Sequence, residues 1–272
     1  MFLSRWTPGT RGGSGGCGRV RPVEWLASTI VAAALAGAAQ VTSDGVIVRG
    51  PTGSKAIALV FTGHEFAEGG DAILAALDRR RARGSFFLTG DFLRRKEFSG
   101  FVARVVRAGH YLGPHSDKHL LYADWTDKKT LVTRDAFVAD LRTNLAEIER
   151  AGAGLPRLFL PAFEWCNAEI VRWAREEGVT TVNMTSGTRS NADYTEDGAA
   201  NYVSSPVIVE SILSAERNDP NGLSGFLLLM HVGAGPGRTD KLYPRLDGLL
   251  EALSRRGYRF VRVDELLRGS AR

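Results

Sequence analysis

Short apolar runs alternate with amphipathic stretches from about residue 50 to the end of the chain. Runs such as Ala56–Phe61 and Phe226–Met230 are apolar at every position, which is typical of parallel strands that are buried on both faces. Between such runs, apolar residues recur at helical spacing, as along Leu246–Leu253, which predicts helices with one apolar face. About seven strand–helix repeats predict a single α/β domain over residues 50–268, with its parallel strands in a barrel. A doubly wound open sheet is the alternative.

The stretch from Asp193 to Pro220 departs from this alternation. It is polar and carries few apolar residues at regular spacing. The sequence therefore predicts a long loop there, which would lie over the strand ends and form a wall for a substrate.

Residues 1–38 have the pattern of a secretory leader. Arg19 and Arg21 precede an apolar run, Trp25–Ala36, and small residues at A-x-A spacing follow at 36–38, as in a cleavable signal. The run is shorter than the roughly 20 residues that a membrane span needs. The pattern predicts an exported protein, periplasmic or extracellular, with no stable membrane association once the leader is removed. An uncleaved anchor, or a start codon placed too far upstream, are the alternatives.

Charge and cysteine content limit the functions that fit. The leader's four arginines and Glu24 supply +3 of the formal net charge of +5, so only +2 remains on the rest of the chain. A net charge that small does not favour a nucleic-acid partner. Outside the leader Cys166 is the only cysteine, so the mature chain has no internal disulfide and depends on its apolar core.

Polar side chains collect just after the predicted strands, where parallel α/β folds carry their chemistry. Four of the five histidines lie there: His64, His115, His119 and His231, whereas His110 lies at a strand start. His115 and His119 are four residues apart, so on one helical turn both imidazoles would share a face. Two imidazoles and a carboxylate suit zinc or a similar divalent ion, and Glu65 or His64 is the candidate third ligand.

His231 ends a run of five apolar residues. A histidine at a strand end can protonate a departing amine or alkoxide at neutral pH, which makes His231 a candidate general acid. Asp240 and Asp193 are the candidate partners that would orient it. The alternative is a histidine that is only hydrogen-bonded at the edge of the core.

Several segments, in order, resemble the polysaccharide deacetylases of carbohydrate esterase family 4, the NodB-like domain. Residues 109–119, GHYLGPHSDKH, resemble the family's GHEIGNH(S/T)xxH segment, whose two histidines bind the metal. Residues 85–90, 228–231 and 257–261 are similar to its ATFFVxG, LLH and GYxFV segments. The resemblance implies a distorted barrel, zinc or another divalent ion as cofactor, and an acetylated glycan as substrate. It also implies hydrolysis of acetyl groups with an aspartate base and a late histidine as acid.

The chain departs from the family at its first motif, TFDDG, which supplies the base and one metal ligand. Here the segment reads FTGHEF over residues 61–66. Aligned on Thr62, His64 takes the place of the base and Glu65 that of the ligand. Aligned on Phe61, those places fall to Thr62 and Gly63, and neither can serve.

A second departure lies at the family's RPPY segment, which matches residues 160–163. Leu160 stands where the family has an arginine that orients the base. Arg189 or Arg238 is the candidate replacement from another loop.

Two functions remain open at this point. The first is a metal-dependent carbohydrate deacetylase with His64 as base, His231 as acid and Asp240 orienting the acid. Glu65, His115 and His119 would hold the metal, and Phe163, Trp165 and Arg189 would contact the substrate. The second is a catalytically impaired carbohydrate-binding domain in which exposed aromatic side chains stack on sugars: Trp125, Phe163, Trp165 and Tyr194. A small amide substrate on the same fold is a third reading. The sequence does not decide between N- and O-acetyl groups or predict an oligomeric state.

Overall fold

A computed structural model describes residues 38–268, so the predicted leader lies outside the described residues except for its last position. The strands are β1 (Gln40–Val41), β2 (Ile47–Arg49), β3 (Ala56–Gly63), β4 (Ser85–Leu88), β5 (Tyr111–Pro114), β6 (Leu158–Phe159), β7 (Thr180–Thr181), β8 (Leu227–His231) and β9 (Arg259–Val261). The helices are α1 (Gly70–Arg79), α2 (Gly90–Arg94), α3 (Ser99–Arg107), α4 (Arg134–Arg150), α5 (Ala168–Glu176), α6 (Ser205–Asn218), α7 (Leu246–Arg255) and α8 (Val263–Arg268). Over this range no helix has the length and apolarity that crossing a bilayer requires.

Strand β3 is the centre of the main sheet, and all of its residues are buried. It pairs in parallel with β4, β8 and the short β9. Successive side chains of a strand point to opposite faces. Ile57, Leu59 and Phe61 therefore pack on one side in the cluster that includes α1, α3 and α7, while Ala58 and Val60 point to the other side.

Backbone hydrogen bonds connect the main sheet to the smaller β6–β7 pair at both edges. Leu160 N donates to Pro114 O at 3.2 Å, and Thr185 N donates to Leu227 O at 3.0 Å. Strands β3 to β8 therefore follow one another around a closed ring, with β9 beside the start of β3. Apolar side chains fill the inside of this ring, among them Val60, Leu229 and Leu160. The predicted α/β fold with parallel strands is confirmed, and the ring is consistent with a distorted barrel.

The prediction of a long loop over 193–220 is wrong for half of that stretch. Helix α6 occupies Ser205–Asn218, with Pro206 in its first turn. Among its apolar side chains only Ile208 and Ile212 are fully buried. Because so few positions of α6 are buried, its sequence has only a weak helical apolar pattern. That pattern was too weak to predict a helix.

Candidate active site

The carboxyl ends of β3, β5, β6 and β8 meet around one pocket with a volume of about 540 Å³. Its lining includes His64, His115, His119 and His231. Glu164, which follows β6, also lines it. These four histidines are the ones that follow the predicted strands. His110 lies elsewhere, where its Nδ1 accepts a hydrogen bond from Gly84 N.

The segment 115–119 is a fixed loop, and it is not the helical turn expected from the spacing of the two histidines. Ser116 and His119 both have left-handed backbones, with φ of 72° and 54°. The Asp140 carboxylate on α4 accepts from the backbone N–H groups of Asp117 and Lys118. With these bonds the loop holds the two imidazole rings 5.3 Å apart.

His115 is oriented by a backbone carbonyl. Its Nδ1 lies 2.9 Å from Leu160 O, and only a protonated nitrogen can bond to a carbonyl oxygen. In the neutral ring Nε2 is therefore the unprotonated nitrogen, and it lies 3.9 Å from Oε1 of Glu164. Burial, with His119 nearby, lowers the pKa of His115 well below its usual value. Burial, with His64 and His231 nearby, lowers the pKa of His119 to about 4, so both rings are neutral at pH 7.

His64 lies inside the pocket, and Glu65 lies at its rim. The His64 ring stacks on that of His119, with centroids 4.5 Å apart, and its Nδ1 is 3.1 Å from Thr89 Oγ1. Burial lowers the pKa of His64, partly offset by Glu65 and Asp91. Glu65 is exposed, and among residues 38–268 no hydrogen bond or ion pair reaches its carboxylate. The structure therefore brings His64, but not Glu65, into contact with the predicted metal histidines.

His231 is held by Asp193. His231 Nδ1 lies 2.6 Å from Asp193 Oδ1, and Asp193 Oδ2 accepts from the backbone N–H of His231. Burial alone would lower the pKa of His231, but the charge and hydrogen bond of Asp193, helped by Glu164, raise it above its usual value. The prediction of Asp240 as the orienting residue needs correction, because that carboxylate accepts from Ser205 N and Tyr202 OH. The sequence could not choose between Asp193 and Asp240, because the choice depends on how the loops fold.

The register of β3 bears on the altered first motif. Thr62 pairs with His231 across the sheet, and its buried Oγ1 has no hydrogen-bond partner among the described residues. A side chain at the next residue, Gly63, would crowd Leu88, because a Cβ there would lie 2.8 Å from Leu88 Cδ2. Thr62 therefore occupies the position opposite His231 and lines the same pocket.

Glu164 is a carboxylate that the sequence analysis did not assign. Its side chain is 14% exposed, and burial, with Asp193 nearby, raises its pKa. It follows directly on the residues matched to the family's RPPY segment. One sequence signal could have identified Glu164. It lies just after a predicted strand, as the other site residues do.

Four exposed aromatic side chains line the pocket: Phe66, Trp125, Phe163 and Tyr194. Phe163 lies 4.3 Å from the His119 ring and Tyr194 lies 4.8 Å from the His231 ring. Trp165 does not line the pocket; it stacks against Trp125 at 5.5 Å, and its Nε1 donates to Asp124 O.

Neither candidate arginine lies in the pocket. Arg189 is exposed, and its backbone N–H donates to Ser211 Oγ. Arg238 is fully buried and donates to the carbonyl oxygens of Thr195, Val203 and Asp240. Arg238 thus anchors the segment before α6, and its charge does not replace the arginine missing at Leu160.

The donors at the pocket suit the divalent ion that the family resemblance implies. Neutral imidazole nitrogens and a carboxylate are typical zinc ligands, and the bond from His115 Nδ1 to a carbonyl is the arrangement seen behind metal-ligating histidines. Within residues 38–268 no three His, Cys, Asp or Glu side chains already stand together as a complete ligand set. The residues fit the ion by their chemistry, and the carboxylate ligand is the one still to be assigned.

The chain is similar to known deacetylases in sequence. The family model for polysaccharide deacetylase matches residues 49–182. A peptidoglycan-N-acetylglucosamine deacetylase of Bacillus cereus is 28% identical over 218 residues, which cover 80% of this chain and 91% of that protein. A second protein of that name from the same organism is 23% identical over 81% of this chain and 71% of its own length.

Solved structures share the fold. A crystal structure of a peptidoglycan N-acetylglucosamine deacetylase matches with a TM-score of 0.66 and 22% identity, over 81% of this chain and 92% of that one. A carbohydrate esterase family 4 pseudoenzyme from Bacillus anthracis matches with a TM-score of 0.65 and 21% identity, over 83% and 70%. A mutant of that pseudoenzyme with restored enzymatic activity matches similarly, with a TM-score of 0.66. Residues 49–182 therefore match the polysaccharide deacetylase family model, and the chain has the fold of carbohydrate esterase family 4.

Proposed function

We propose that this chain is a metal-dependent hydrolase that removes acetyl groups from an N-acetylated glycan. The observation that carries the proposal is the pair of His231 and Asp193, 2.6 Å apart, which shares one pocket with the neutral His115 and His119. A proton donor and two ligand-competent imidazoles on one cavity are what hydrolysis of an acetyl group needs. The names of the two Bacillus cereus relatives support an N-acetylated substrate.

Each side chain has a distinct task in this proposal. Asp193 holds the proton of His231 on Nδ1, so Nε2 is the atom that delivers a proton to the departing amine. His64, whose pKa is lowered by burial, is neutral at pH 7 and can accept a proton from the attacking water. His115 and His119 hold the divalent ion, with zinc as the proposed identity. When bound, the ion supplies a lowered pKa for water and polarisation of the acetyl carbonyl.

The walls of the pocket support a carbohydrate substrate. Trp125, Phe163 and Tyr194 are 55%, 41% and 47% exposed, which is a large exposure for aromatic side chains that flank one cavity. Aromatic faces pack well against the apolar faces of sugar rings. We therefore propose that these three side chains grip the sugars on either side of the acetyl group. Arg189 and Trp165 lie outside the pocket lining and are left out of the proposed substrate contacts.

We also propose that the protein acts after export, periplasmically or extracellularly. The support is the order of basic, apolar and small residues in 1–38. Fractionation of cells that express the full chain, followed by N-terminal sequencing of the mature form, tests this part separately. An uncleaved protein in the cytosolic fraction would contradict it.

A catalytically impaired glycan-binding domain is the second candidate, and one observation favours it. Thr62 and Gly63 stand where the family has its two aspartates when the segments are aligned on Phe61, and Thr62 lines the pocket opposite His231. The similarity to a family pseudoenzyme gives this candidate a structural precedent.

Acetate release distinguishes the two. The full chain, supplied with Zn²⁺ or Co²⁺, is incubated with N-acetylglucosamine oligomers and with acetylated xylan, and the acetate is quantified. Wild type should release acetate from the N-acetylated substrate, and His231→Asn should lower the rate roughly 10²- to 10⁴-fold. His110→Asn is the matched control, because His110 lies outside the pocket. Glycan binding without any acetate release would favour the impaired domain.

A further inference from the structure

The pocket contains one half-buried carboxylate with no assigned task. Glu164 follows β6, and its Oε1 lies 3.9 Å from Nε2 of His115. That nitrogen is the unprotonated one, because Nδ1 donates to Leu160 O. The contact therefore joins an imidazole lone pair to a carboxylate oxygen, and these two acceptors cannot form a hydrogen bond with each other.

The backbone around Glu164 is built to turn its side chain inward. Phe163 and Glu164 are consecutive residues with left-handed backbones, at φ of 59° and 54°, a conformation that residues other than glycine rarely adopt. Glu164 N donates to Pro161 O, and Asn183 Nδ2 donates to Glu164 O at 2.6 Å. Such strain is found most often where function requires it.

The Glu164 carboxylate also lacks a partner of its own. Among the hydrogen bonds of residues 38–268 none reaches either of its oxygens, although the side chain is only 14% exposed. Carboxylates with so little exposure are usually paired with a cation or a hydrogen-bond donor. Glu65, the carboxylate that one alignment of the first motif offers as ligand, is exposed instead.

We propose that Glu164 is the carboxylate ligand of the metal site, together with His115 and His119, and that it replaces the aspartate ligand lost from the end of β3. The assignment rests on the proposed metal-dependent function. It moves the carboxylate from β3 to the end of β6, so the chain keeps a His, His and carboxylate donor set although Gly63 has no side chain. A ligand at this place also explains why two acceptors, His115 Nε2 and Glu164 Oε1, lie side by side.

Direct ion binding tests the assignment. Co²⁺ is titrated into the metal-free full chain and followed by calorimetry and by its visible absorption. Glu164→Gln should lower the affinity for Co²⁺ at least roughly 100-fold. Loss of a residue that only supports a metal ligand already lowers metal affinity by roughly 10- to 100-fold. Glu65→Gln tests the rival ligand. Glu196→Gln is the matched control, because Glu196 is an exposed carboxylate on the same pocket wall. Both should bind Co²⁺ as tightly as wild type.

Three outcomes would overturn the assignment: unchanged affinity in Glu164→Gln, a loss confined to Glu65→Gln, or no Co²⁺ binding by wild type. Circular dichroism of the metal-free proteins confirms that each variant is folded. If Glu164→Gln does not fold, Glu164→Asp, which shortens the reach of the carboxylate, takes its place with the same expected direction. Acetate release is measured separately. Wild type that binds Co²⁺ through Glu164 but releases no acetate would refute the proposed function and leave the ligand assignment standing.

Discussion

His231 Nδ1 lies 2.6 Å from Asp193 Oδ1, and the other oxygen of that carboxylate accepts from the His231 backbone N–H. The aspartate therefore fixes both the ring and the strand end that carries it. Asp193 belongs to the 3₁₀ turn Ser190–Tyr194, which packs against β8. The orientation of the proton donor is thus fixed by a short turn that follows β7. No residue close to His231 in sequence is needed for this.

The first prediction concerns the pH dependence of this pair. The pKa of His231 is raised by Asp193, so the protonated acid is present below that pKa and is lost as the pH rises through it. Asp193→Asn removes the charge, and the alkaline limb of kcat should move to lower pH with a loss of roughly 10²- to 10⁴-fold. The measurement is a pH–rate profile of acetate release.

Asp240→Asn is the matched control for this prediction. The Asp240 carboxylate is bonded to Ser205 N and Tyr202 OH, so the variant should keep the alkaline limb of the wild type. An Asp193→Asn profile that coincides with wild type would refute the role of the pair.

The second prediction follows from Thr62, which pairs with His231 and has an unpartnered buried Oγ1. Thr62→Asp would place a carboxylate in the position that the alignment on Phe61 gives to the family's base, and kcat for deacetylation should then rise. Thr62→Asn is nearly the same size without the charge and should bring no such gain. Equal rates for the Asp and Asn variants would count against the alignment on Phe61.

The third prediction concerns glycan binding. Trp125 is exposed at the pocket wall and packs edge-on against Phe163. An aromatic contact is worth about 0.5–1.5 kcal/mol, so Trp125→Ala should weaken binding of N-acetylglucosamine oligomers roughly 2- to 10-fold. Calorimetry measures the affinity, and Leu155→Ala, which changes an exposed apolar residue away from the pocket, should leave it unchanged. An unchanged affinity in Trp125→Ala would remove this wall from the proposed substrate site.

The fourth prediction concerns the loop that carries His115 and His119. Asp140 is buried and accepts from Asp117 N, Lys118 N and Tyr122 OH. Asp140→Ala leaves those donors without a partner, at about 1–3 kcal/mol for each that stays buried. Two of the three are buried, so the free energy of unfolding should fall by at least about 2 kcal/mol. Denaturant unfolding measures this. Asp135→Ala, at the exposed start of α4, should cost less than about 1 kcal/mol, and equal losses in the two variants would contradict the account.

The parts of the fold that sequence could predict are those with strong local patterns. Buried positions can be predicted directly from the apolar runs in β3 and β8 and from the apolar face of α7. Helix α6 escaped because only Ile208 and Ile212 are fully buried within it. The four pocket histidines were predictable for a related reason: carboxyl ends of parallel strands converge, so residues just after each run had to meet.

The contacts made between loops could not be read from the sequence in the same way. Asp193 and Asp240 are both carboxylates in the same polar region, and only the folded turn at 190–194 decides which one reaches His231. Glu164 reaches the pocket through two consecutive left-handed residues, which no residue type there predicts. Arg238 carries a charge suited to the site, yet it is used to hold backbone carbonyls.

The most direct test of the central claim, that this pocket hydrolyses acetyl groups with His231 as acid, is acetate release in ¹⁸O-labelled water. The full chain with added Zn²⁺ is incubated with an N-acetylglucosamine oligomer, and the acetate is analysed by mass spectrometry. The account predicts acetate that carries one oxygen from the labelled water, with little released by His231→Asn. Wild type that binds the oligomer but yields no labelled acetate at any added ion would contradict it.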